Sequence, residues 1–391
     1  MQTERLRVLV VDDSAVMRRA ITRIVESDPS LELVGIGRNG KDAIDKVNRV
    51  RPQVLTLDIE MPEMDGLQAL SRLPVDCQAP LPAVLMCSSL TSDGSHAALK
   101  ALRMGAADVI GKNPAEVGGG SDRFAKELLA KIHAIGGGKR RGVSGGTGAP
   151  DRAPIGSRSS AGDRGETPPR AAHVRRPPDS VRDTVRRLEL ERKPVNLIVI
   201  GSSTGGPPAL EDTLNTVPAA GCPPIVIAQH MPKLFTGCLA ERLDRHGLLR
   251  VIHAEKDIPR LEPGTAYVIC GGLHGRVGAR RDGGYRLDLG DSPAEALYKP
   301  SVDVLFDSAA GLAGETLALV LTGMGEDGLI GGRRFVASGG RLLSQHEDSC
   351  VVFGMPKAVE DSGLSRARLD PKGLASVLTC VTEHGSARDA A

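Results

Sequence analysis

The fold of the second half of this chain is decided by residues 197–208, which read LIVIGSSTGGPP. The apolar run 197–200 predicts a buried strand, the glycines after it predict a tight turn, and the two prolines stand where a helix begins. Residues 201–205 also satisfy G-x-S-x-G, a pattern that lifts a serine hydroxyl onto a strand-to-helix turn. Taken alone, the stretch is explained about as well by a phosphate-binding turn or by a plain strand–helix connection.

The composition narrows the fold and the kinds of partner. With 391 residues, of which 40% are hydrophobic and only 2% aromatic, the chain is long enough for two or three domains with cores of Val, Leu, Ile and Ala. Such cores suit parallel α/β sheets. A net charge of +2 and the scarcity of aromatic rings argue against a nucleic-acid-binding protein.

The cysteines and the apolar runs indicate where the protein works. The seven cysteines form no C-x-x-C pair, which argues against a zinc ribbon or a thioredoxin-like site and suits reduced thiols. Neither a signal peptide nor an apolar run of the ~20 residues needed to span a bilayer is visible. We therefore expect a cytoplasmic protein without direct membrane insertion.

Residues 5–135 alternate between apolar strands and amphipathic helices, which predicts a doubly wound parallel sheet. Asp12 and Asp13 follow the first expected strand, and Asp58 follows the third, so all three carboxylates should meet at one sheet edge. They would repel one another unless a cation joined them, and oxygen ligands suit Mg²⁺. Ser88 and Lys112, after the fourth and fifth strands, complete a ring in which Asp58 can receive a phosphoryl group.

This part resembles the response-regulator receiver domain. The matching residues are the Asp12-Asp13 pair, Asp58 within residues 57–66 (LDIEMPEMDG), Ser88 and Lys112. The resemblance implies phosphorylation of Asp58, with Mg²⁺ held by Asp12, Asp13 and Asp58. Two positions depart from the pattern: Asn113 stands where receivers usually have proline, and Val109 stands where they usually have an aromatic switch residue.

Residues 136–193 differ in composition from both flanking regions. They contain glycine runs, paired prolines and many Ser and Arg residues, and their apolar residues show no regular spacing. Such a segment cannot bury enough surface to fold alone, which predicts a flexible linker. Its excess of arginine over acids suits either a solvated tether or an electrostatic docking segment. Only residues 180–191 have a helical pattern.

Residues 194–385 form the second expected domain. Apolar strands recur at 197–200, 225–228, 266–269, 317–321 and 341–343, with helical stretches between several of them, so a second doubly wound, mostly parallel sheet is expected. Tyr267, Val277 and residues 285–289 suggest a small antiparallel hairpin, with residues 282–284 (DGG) as its turn.

Three strand ends of this second domain carry the groups of a serine hydrolase. Ser203, His230 and Asp327 each follow a strand, and neighbouring parallel strands would bring them to one edge. A serine nucleophile needs a base, and the base needs an orienting acid. Their order in the chain is Ser, His, Asp, whereas α/β-hydrolases have the acid before the histidine, so we do not expect that fold.

The second domain resembles the catalytic domain of the chemotaxis protein-glutamate methylesterases, the CheB family. The resemblance rests on residues 200–206, 229–232, 299–306, 321–328 and 350–356. It implies Ser203 as nucleophile, His230 as general base and Asp327 as orienting acid. It also implies that the Met324 N–H helps to hold the oxyanion and that Thr204 lies beside the site. Ser202 stands where many relatives have alanine, and Glu326 where asparagine is common.

The resemblance also implies an activity and partners. The activity is hydrolysis of glutamate methyl esters on the cytoplasmic helices of methylated chemoreceptors, together with deamidation of certain receptor glutamines. The esterase chemistry would need no cofactor, and a chemotaxis histidine kinase would be the phosphodonor. The unphosphorylated receiver would cover the catalytic cleft.

Two other functions remain in view. The second domain could be a nucleotide-binding module, although it lacks G-x-G-x-x-G and the lysine of a Walker loop. It could instead be a non-catalytic effector module of another chemosensory pathway, which the Ser203, His230 and Asp327 set argues against. His274, in a glycine-rich stretch, either lines the cleft or belongs to an ordinary loop.

Overall fold

The computed structural model describes residues 5–78, 80–112, 122–138, 177–190 and 192–389. They form a parallel sheet of five strands, a parallel sheet of seven strands and one antiparallel pair. We call the parallel sheets the first and the second sheet. The predicted α/β architecture, two parallel sheets with a small hairpin, is confirmed.

The first sheet has the strand order β2-β1-β3-β4-β5. Its strands are β1 (Leu6–Val11), β2 (Leu31–Gly37), β3 (Val54–Asp58), β4 (Ala83–Ser89) and β5 (Asp108–Lys112). Its helices are α1 (Ala15–Glu26), α2 (Gly40–Val50), α3 (Gly66–Asp76), α4 (Ser92–Arg103) and α5 (Asp122–Gly138). The central strands β3 and β4 are buried between helices on both faces, and Asp58 is the last residue of β3.

The second sheet has the order β14-β13-β12-β6-β7-β9-β8, with every pair parallel. Its strands are β6 (Leu197–Ser202), β7 (Ile225–Gln229), β8 (Arg250–Ala254), β9 (Thr265–Ile269), β12 (Thr316–Val320), β13 (Arg341–Gln345) and β14 (Ser365–Leu369). Sequence reasoning missed β8 and β14. Both are edge strands with partly exposed residues, so they lack the continuous apolar run of a central strand.

Strands β12, β6 and β7 are neighbours at the centre of the second sheet. Ser203, His230 and Asp327 follow these three strands and so share one edge, as the pattern predicted. The helices that flank the sheet are α6 (Val181–Leu188), α7 (Gly206–Leu214), α8 (Lys233–His246), α9 (Val302–Ala309), α10 (Leu329–Ala337), α11 (Met355–Asp361) and α12 (Pro371–Asp389). Within the described ranges, none of the helices is sufficiently long and apolar to pass through a bilayer.

The antiparallel pair is a hairpin of β10 (His274–Ala279) and β11 (Tyr285–Gly290), with the predicted turn between them. Tyr267 does not belong to it: this residue lies in β9 of the second sheet, and its hydroxyl accepts a hydrogen bond from the N–H of Glu262. Of the expected linker, residues 139–176 and residue 191 lie outside the described residues. Helix α6, at the end of that segment, packs against α12 and β14.

The two sheets are joined chiefly by α4 of the first half packing against α8 of the second. Arg103 of α4 forms ion pairs with Glu211, at 3.3 Å, and with Asp212, at 3.0 Å, both in α7. His96 of α4 lies 3.5 Å from Glu241 of α8. A continuous cluster of buried apolar side chains includes members from both halves, among them Leu99 and Leu239.

Candidate functional site

Ser203 stands on the turn between β6 and α7. Its N–H donates to the carbonyl of Thr322, 3.0 Å away, so the turn is tied to the end of β12. Gly205 has a φ of +76°, which favours glycine. A Cβ at Gly206 would lie 2.0 Å from the Gln229 amide oxygen, so the neighbouring strand leaves no space for a side chain. These glycines let the serine sit directly beside β7.

Ser202 is the last residue of β6 and is fully buried. Its hydroxyl donates to the side-chain oxygen of Gln229 at 2.6 Å, and the Gln229 amide donates to the carbonyl of Ser203 at 2.9 Å. The Ser202 hydroxyl, at the position where many relatives have alanine, is therefore engaged inside the sheet edge. Gln229, whose role sequence reasoning missed, links β7 to the serine turn.

His230 and Asp327 are in direct contact. The distance between Nε2 of His230 and the nearer carboxylate oxygen of Asp327 is 2.8 Å. The other ring nitrogen, Nδ1, is buried and has no hydrogen-bond partner among the described residues. Since Asp327 occupies Nε2, Nδ1 is the nitrogen available to a reacting group.

The ring of His230 stacks on Tyr298, with 4.2 Å between ring centroids and 13° between ring planes. The stack holds the imidazole plane in addition to the hydrogen bond that Nε2 makes to Asp327. Sequence reasoning missed Tyr298. The signal that could have found it is its place directly before residues 299–306, one of the segments that carry the family resemblance.

The carboxylate of Asp327 lies against the N-terminus of α9, a helix that precedes Asp327 in the chain. Its carboxylate accepts hydrogen bonds from the N–H groups of Val302 at 2.7 Å and Asp303 at 2.8 Å, and from the Ser301 hydroxyl at 3.0 Å. Burial by itself raises the pKa of Asp327, but the hydrogen bond and charge of His230 and these N–H donors outweigh it and lower the pKa to about 2. The helix start therefore keeps this acid ionised and aimed at His230.

His274 does not line an open cleft. It is fully buried, its Nδ1 accepts the N–H of Ser301 at 3.1 Å, and its Nε2 lies 3.1 Å from the carbonyl of Pro293. It therefore supports the segment that holds Asp327. Glu326, beside Asp327 in the chain, is exposed, and Met324 is partly buried.

The first half of the chain reaches this site through Thr204 and Asp108. The Thr204 hydroxyl donates to the carboxylate of Asp108, the first residue of β5, at 2.6 Å. The same carboxylate pairs with the ammonium of Lys131 in α5, which is also buried. Ser203 is only 6% exposed, so a protein substrate cannot reach it in this arrangement.

The acidic residues of the first sheet meet as predicted. One carboxylate oxygen each of Asp12, Asp13 and Asp58 lies within 4.8 Å of the others. The ammonium of Lys112 is 2.8 Å from Asp12 and 2.6 Å from Asp58. Burial raises the pKa of Asp58 to about 6; Lys112 opposes this shift, and the neighbouring acids add to it. The Ser88 hydroxyl donates to the carbonyl of Gly94 in α4, at 2.8 Å.

These residues fit a phosphorylation site with a divalent cation. Three converging carboxylates with a single ammonium leave an excess of negative charge that a hard cation can balance. Val109, at the expected switch position, is buried in β5. Asn113 lies outside the described residues.

Known proteins resemble the chain over nearly its whole length. Residues 198–378 match the CheB methylesterase family and residues 8–117 the response regulator receiver domain family. The chain is 42% identical over 375 residues to protein-glutamate methylesterase/protein-glutamine glutaminase 1 of Oleidesulfovibrio alaskensis, which covers 95% of this chain and 98% of that protein. It is 39% identical over 373 residues to the protein of the same name from Vibrio vulnificus, covering 92% of this chain and 94% of that one.

Among solved structures, the CheB methylesterase catalytic domain of Thermotoga maritima is similar. It has 36% sequence identity and a TM-score of 0.45, and the match covers 48% of this chain and 98% of that chain. The extent of the sequence matches, together with the two matched domains, shows that the chain belongs to the CheB family of chemotaxis methylesterases with a response-regulator receiver domain.

Proposed function

We propose that this protein is a phosphorylation-regulated serine hydrolase of chemotaxis adaptation. It demethylates glutamate methyl esters on chemoreceptors, releasing methanol, and deamidates specific receptor glutamines to glutamate. The observation that carries the proposal is the contact between His230 and Asp327 on a sheet edge shared with Ser203. The names of the two relatives support the substrate class.

The residues suggest the following reaction. Ser203 Oγ attacks the side-chain carbonyl carbon while Nδ1 of His230 takes its proton, since Nε2 is bonded to Asp327. The tetrahedral intermediate collapses to an acyl-enzyme, and the His230 proton leaves with methoxide as methanol, or with the amide nitrogen as ammonia. Water activated by His230 then releases glutamate and restores the Ser203 hydroxyl.

The oxyanion of this reaction needs hydrogen-bond donors. We assign the N–H of Met324 to this role and place Thr204 beside it. The assignment is supported by the close approach of the preceding residue: a Cβ at Gly323 would lie 2.8 Å from the Cβ of Ser203. Removal of a single such donor costs about 10²–10³ in turnover in other acyl-transfer enzymes.

In the receiver, Asp58 is the proposed phosphoryl acceptor and a chemotaxis histidine kinase the proposed donor. Asp12, Asp13 and Asp58 would hold Mg²⁺, which when bound neutralises phosphoryl oxygens. Lys112 can also neutralise phosphoryl oxygens, since its ammonium already contacts Asp58. Ser88 lies on the adjacent strand end and can turn its hydroxyl from Gly94 to the phosphoryl group.

Position 109 holds valine instead of an aromatic residue. Strand β5 offers another route by which phosphorylation of Asp58 can affect the turn of Ser203. Its last residue, Lys112, contacts Asp58, and its first residue, Asp108, contacts Thr204. A five-residue strand spans about 13 Å between its first and last Cα atoms. A phosphoryl group that draws Lys112 toward itself can thus disturb the contact beside Ser203 through β5.

The partners follow from this chemistry. The substrates are the methylated cytoplasmic helices of chemoreceptors, which places the reaction in the cytoplasm. We assign residues 5–135 to the receiver, 136–193 to the linker and 194–385 to the catalytic domain.

The direct test measures methanol released from methylated chemoreceptor membranes, together with labelling by a fluorophosphonate serine probe. We expect wild-type protein to release methanol and to be labelled on Ser203. Ser203→Ala should lose both. The matched control is Ser202→Ala, which removes a neighbouring hydroxyl that faces Gln229 and should retain both. A wild-type protein that is neither labelled nor active would favour the non-catalytic effector function.

A further inference from the structure

We propose that His253, Glu255 and Cys270 form a binding site for one Zn²⁺ ion, apart from the acidic cluster of the receiver. His253 lies in β8, Glu255 directly follows that strand, and Cys270 directly follows β9. The two strands pair in parallel, so their carboxyl ends meet at the same edge. One ligand atom of each residue lies within 4.8 Å of the other two.

The donor set suits zinc more than the hard cations. An imidazole nitrogen, a thiolate sulfur and a carboxylate oxygen are the ligands that Zn²⁺ takes in proteins, whereas Mg²⁺ and Ca²⁺ prefer oxygen. Bonds of about 2.0–2.3 Å place the ligand atoms of a tetrahedral zinc ion roughly 3.3–3.8 Å apart. Glu255, whose side chain is 52% exposed, can move to close the remaining gap. Water would fill the fourth position.

The hydrogen bonds around His253 prepare its ring for a metal. The hydroxyl of Thr236, a fully buried residue, donates to the carbonyl of Lys233 at 2.8 Å and accepts the N–H of Gly271 at 3.0 Å. The same oxygen lies 3.0 Å from Nε2 of His253. Since the single hydroxyl proton is used on Lys233, Nε2 must be the donor in the contact with Thr236.

The tautomer that results leaves the lone pair on Nδ1, the ring nitrogen that faces Glu255. Nδ1 lies 3.7 Å from a carboxylate oxygen of Glu255. Metal-bound histidines nearly always donate their other ring N–H to a fixed acceptor, which orients the ring. Thr236 supplies that acceptor, and this observation is independent of the spacing of the three ligands.

Two features oppose the binding of Zn²⁺ at this site, and neither prevents it. Lys233 contacts Oε1 of Glu255 at 3.0 Å, the same oxygen that lies near Nδ1 of His253, so its ammonium must move away when the ion binds. The two side chains are 62% and 52% exposed, so their pair is weak. The thiol of Cys270 is buried and must release its proton to solvent when sulfur binds the metal. Glu255 and the thiolate then balance the charge of Zn²⁺.

The site lies next to the catalytic edge. Gly271 packs against the segment after His230: a Cβ at this glycine would lie 2.3 Å from the carbonyl of Met231. An ion bound at the ends of β8 and β9 would therefore stabilise the segment against which His230 and the start of α8 pack. An ion that binds only the folded form raises the free energy of unfolding.

The test is a Zn²⁺ titration of the full-length protein against a chromophoric chelator, with excess Mg²⁺ to occupy the receiver. We expect one Zn²⁺ per chain. His253→Gln, Glu255→Gln and Cys270→Ser should each weaken binding at least about tenfold. Cys380→Ser, a half-exposed cysteine on α12, and Glu262→Gln, an exposed glutamate near β9, are matched controls that should bind as wild type.

Variants of Thr236 distinguish a preorganised metal site from three potential ligands that lie close together by chance. Thr236→Val should weaken Zn²⁺ binding by about 10- to 100-fold, and Thr236→Ser, which keeps the hydroxyl, should restore it. Glu255→Gln is at an exposed position, so it remains informative if Cys270→Ser fails to fold. No Zn²⁺ bound by wild-type protein, or equal binding by wild type and the three ligand variants, would overturn the proposal.

Discussion

The hydroxyl of Thr204 donates a 2.6 Å hydrogen bond to the carboxylate of Asp108. Both residues are buried, and they come from different halves of the chain. Thr204 follows Ser203, and Asp108 begins the strand that ends at Lys112 beside Asp58. This contact puts the receiver directly on the candidate catalytic turn, and under the proposed function we expect the two halves to separate before a receptor helix enters.

Arg103→Ala should raise the activity measured without phosphodonor. The substitution removes the ion pairs of Arg103 with Glu211 and Asp212, which join α4 to α7. Arg103 is 41% exposed and Asp212 is 44% exposed, whereas Glu211 is buried. Exposed pairs contribute about 0.2–1 kcal/mol each, so we expect an increase of about two- to tenfold in methanol release. Glu211 keeps Arg242 as its partner at 2.5 Å and is not left unpaired.

The matched control for this prediction is Arg49→Ala. Arg49 pairs with Asp45 within α2, and its side chain is 74% exposed. Its loss should leave basal activity unchanged. An Arg103→Ala protein with wild-type basal activity would show that this contact does not hold the closed form.

A small-molecule phosphodonor with Mg²⁺ should accelerate fluorophosphonate labelling of Ser203. The reason is that Ser203 is only 6% exposed while the halves are closed, and opening exposes it. Asp58→Asn should show the slow basal rate with and without phosphodonor while retaining basal methanol release. Full stimulation of Asp58→Asn would contradict the assignment of Asp58 as the acceptor.

Asp327→Asn should lower kcat far more than it alters KM. The carboxylate holds Nε2 of His230 at 2.8 Å, and an amide in its place can stabilise the wrong tautomer. The equivalent change in another serine hydrolase lowers kcat about 10⁴-fold. Initial rates of methanol release over a range of receptor concentrations test this. A purely structural role for Asp327 would instead show as loss of folded protein with a normal kcat per folded molecule.

The second domain should lose stability as the pH falls from about 4 to about 2. Asp327 has a pKa of about 2 in the folded protein, below its ordinary value of 3.8, so its ionised form stabilises the fold above pH 4 and this contribution is lost as the pH falls through 2. The contribution of Asp327 to the free energy of unfolding is on the order of 2 kcal/mol. Burial raises the pKa of Asp303 to about 6, which acts in the opposite direction but between pH 4 and 6.

Urea unfolding followed by tyrosine fluorescence measures this domain alone, because the chain has no tryptophan and its three tyrosines, at 267, 285 and 298, all lie in the second half. Asp327→Asn should show a shallower decline in the free energy of unfolding below pH 4. Asp28→Asn in the receiver is the control, since the pKa of Asp28 is also lowered to about 2, by hydrogen bonds from Ser30 and His133. An unchanged slope in Asp327→Asn would refute the assignment.

Much of the site was predictable because it follows from local pattern. Apolar runs that are followed by Ser203, His230, Asp327 or Asp58 identify strand ends, and parallel topology sends strand ends to one edge. Residues such as Gln229, Tyr298, Ser301 and His274 were not predictable in their roles. Each acts through a partner distant in sequence, and nothing in the local composition around it indicates that partner.

The amino-acid sequence by itself determined the two α/β sheets and the family, and it indicated the residues that we propose as nucleophile, base, acid and phosphoryl acceptor. All of these depend on periodicity and on short motifs, which are properties of adjacent residues. Only the tertiary structure decided that Ser202 is engaged with Gln229, which ring nitrogen of His230 is available, and that Asp108 closes the site through Thr204. Those facts depend on distances between residues 27 to 97 positions apart in the chain, which burial and packing set and which no local pattern encodes.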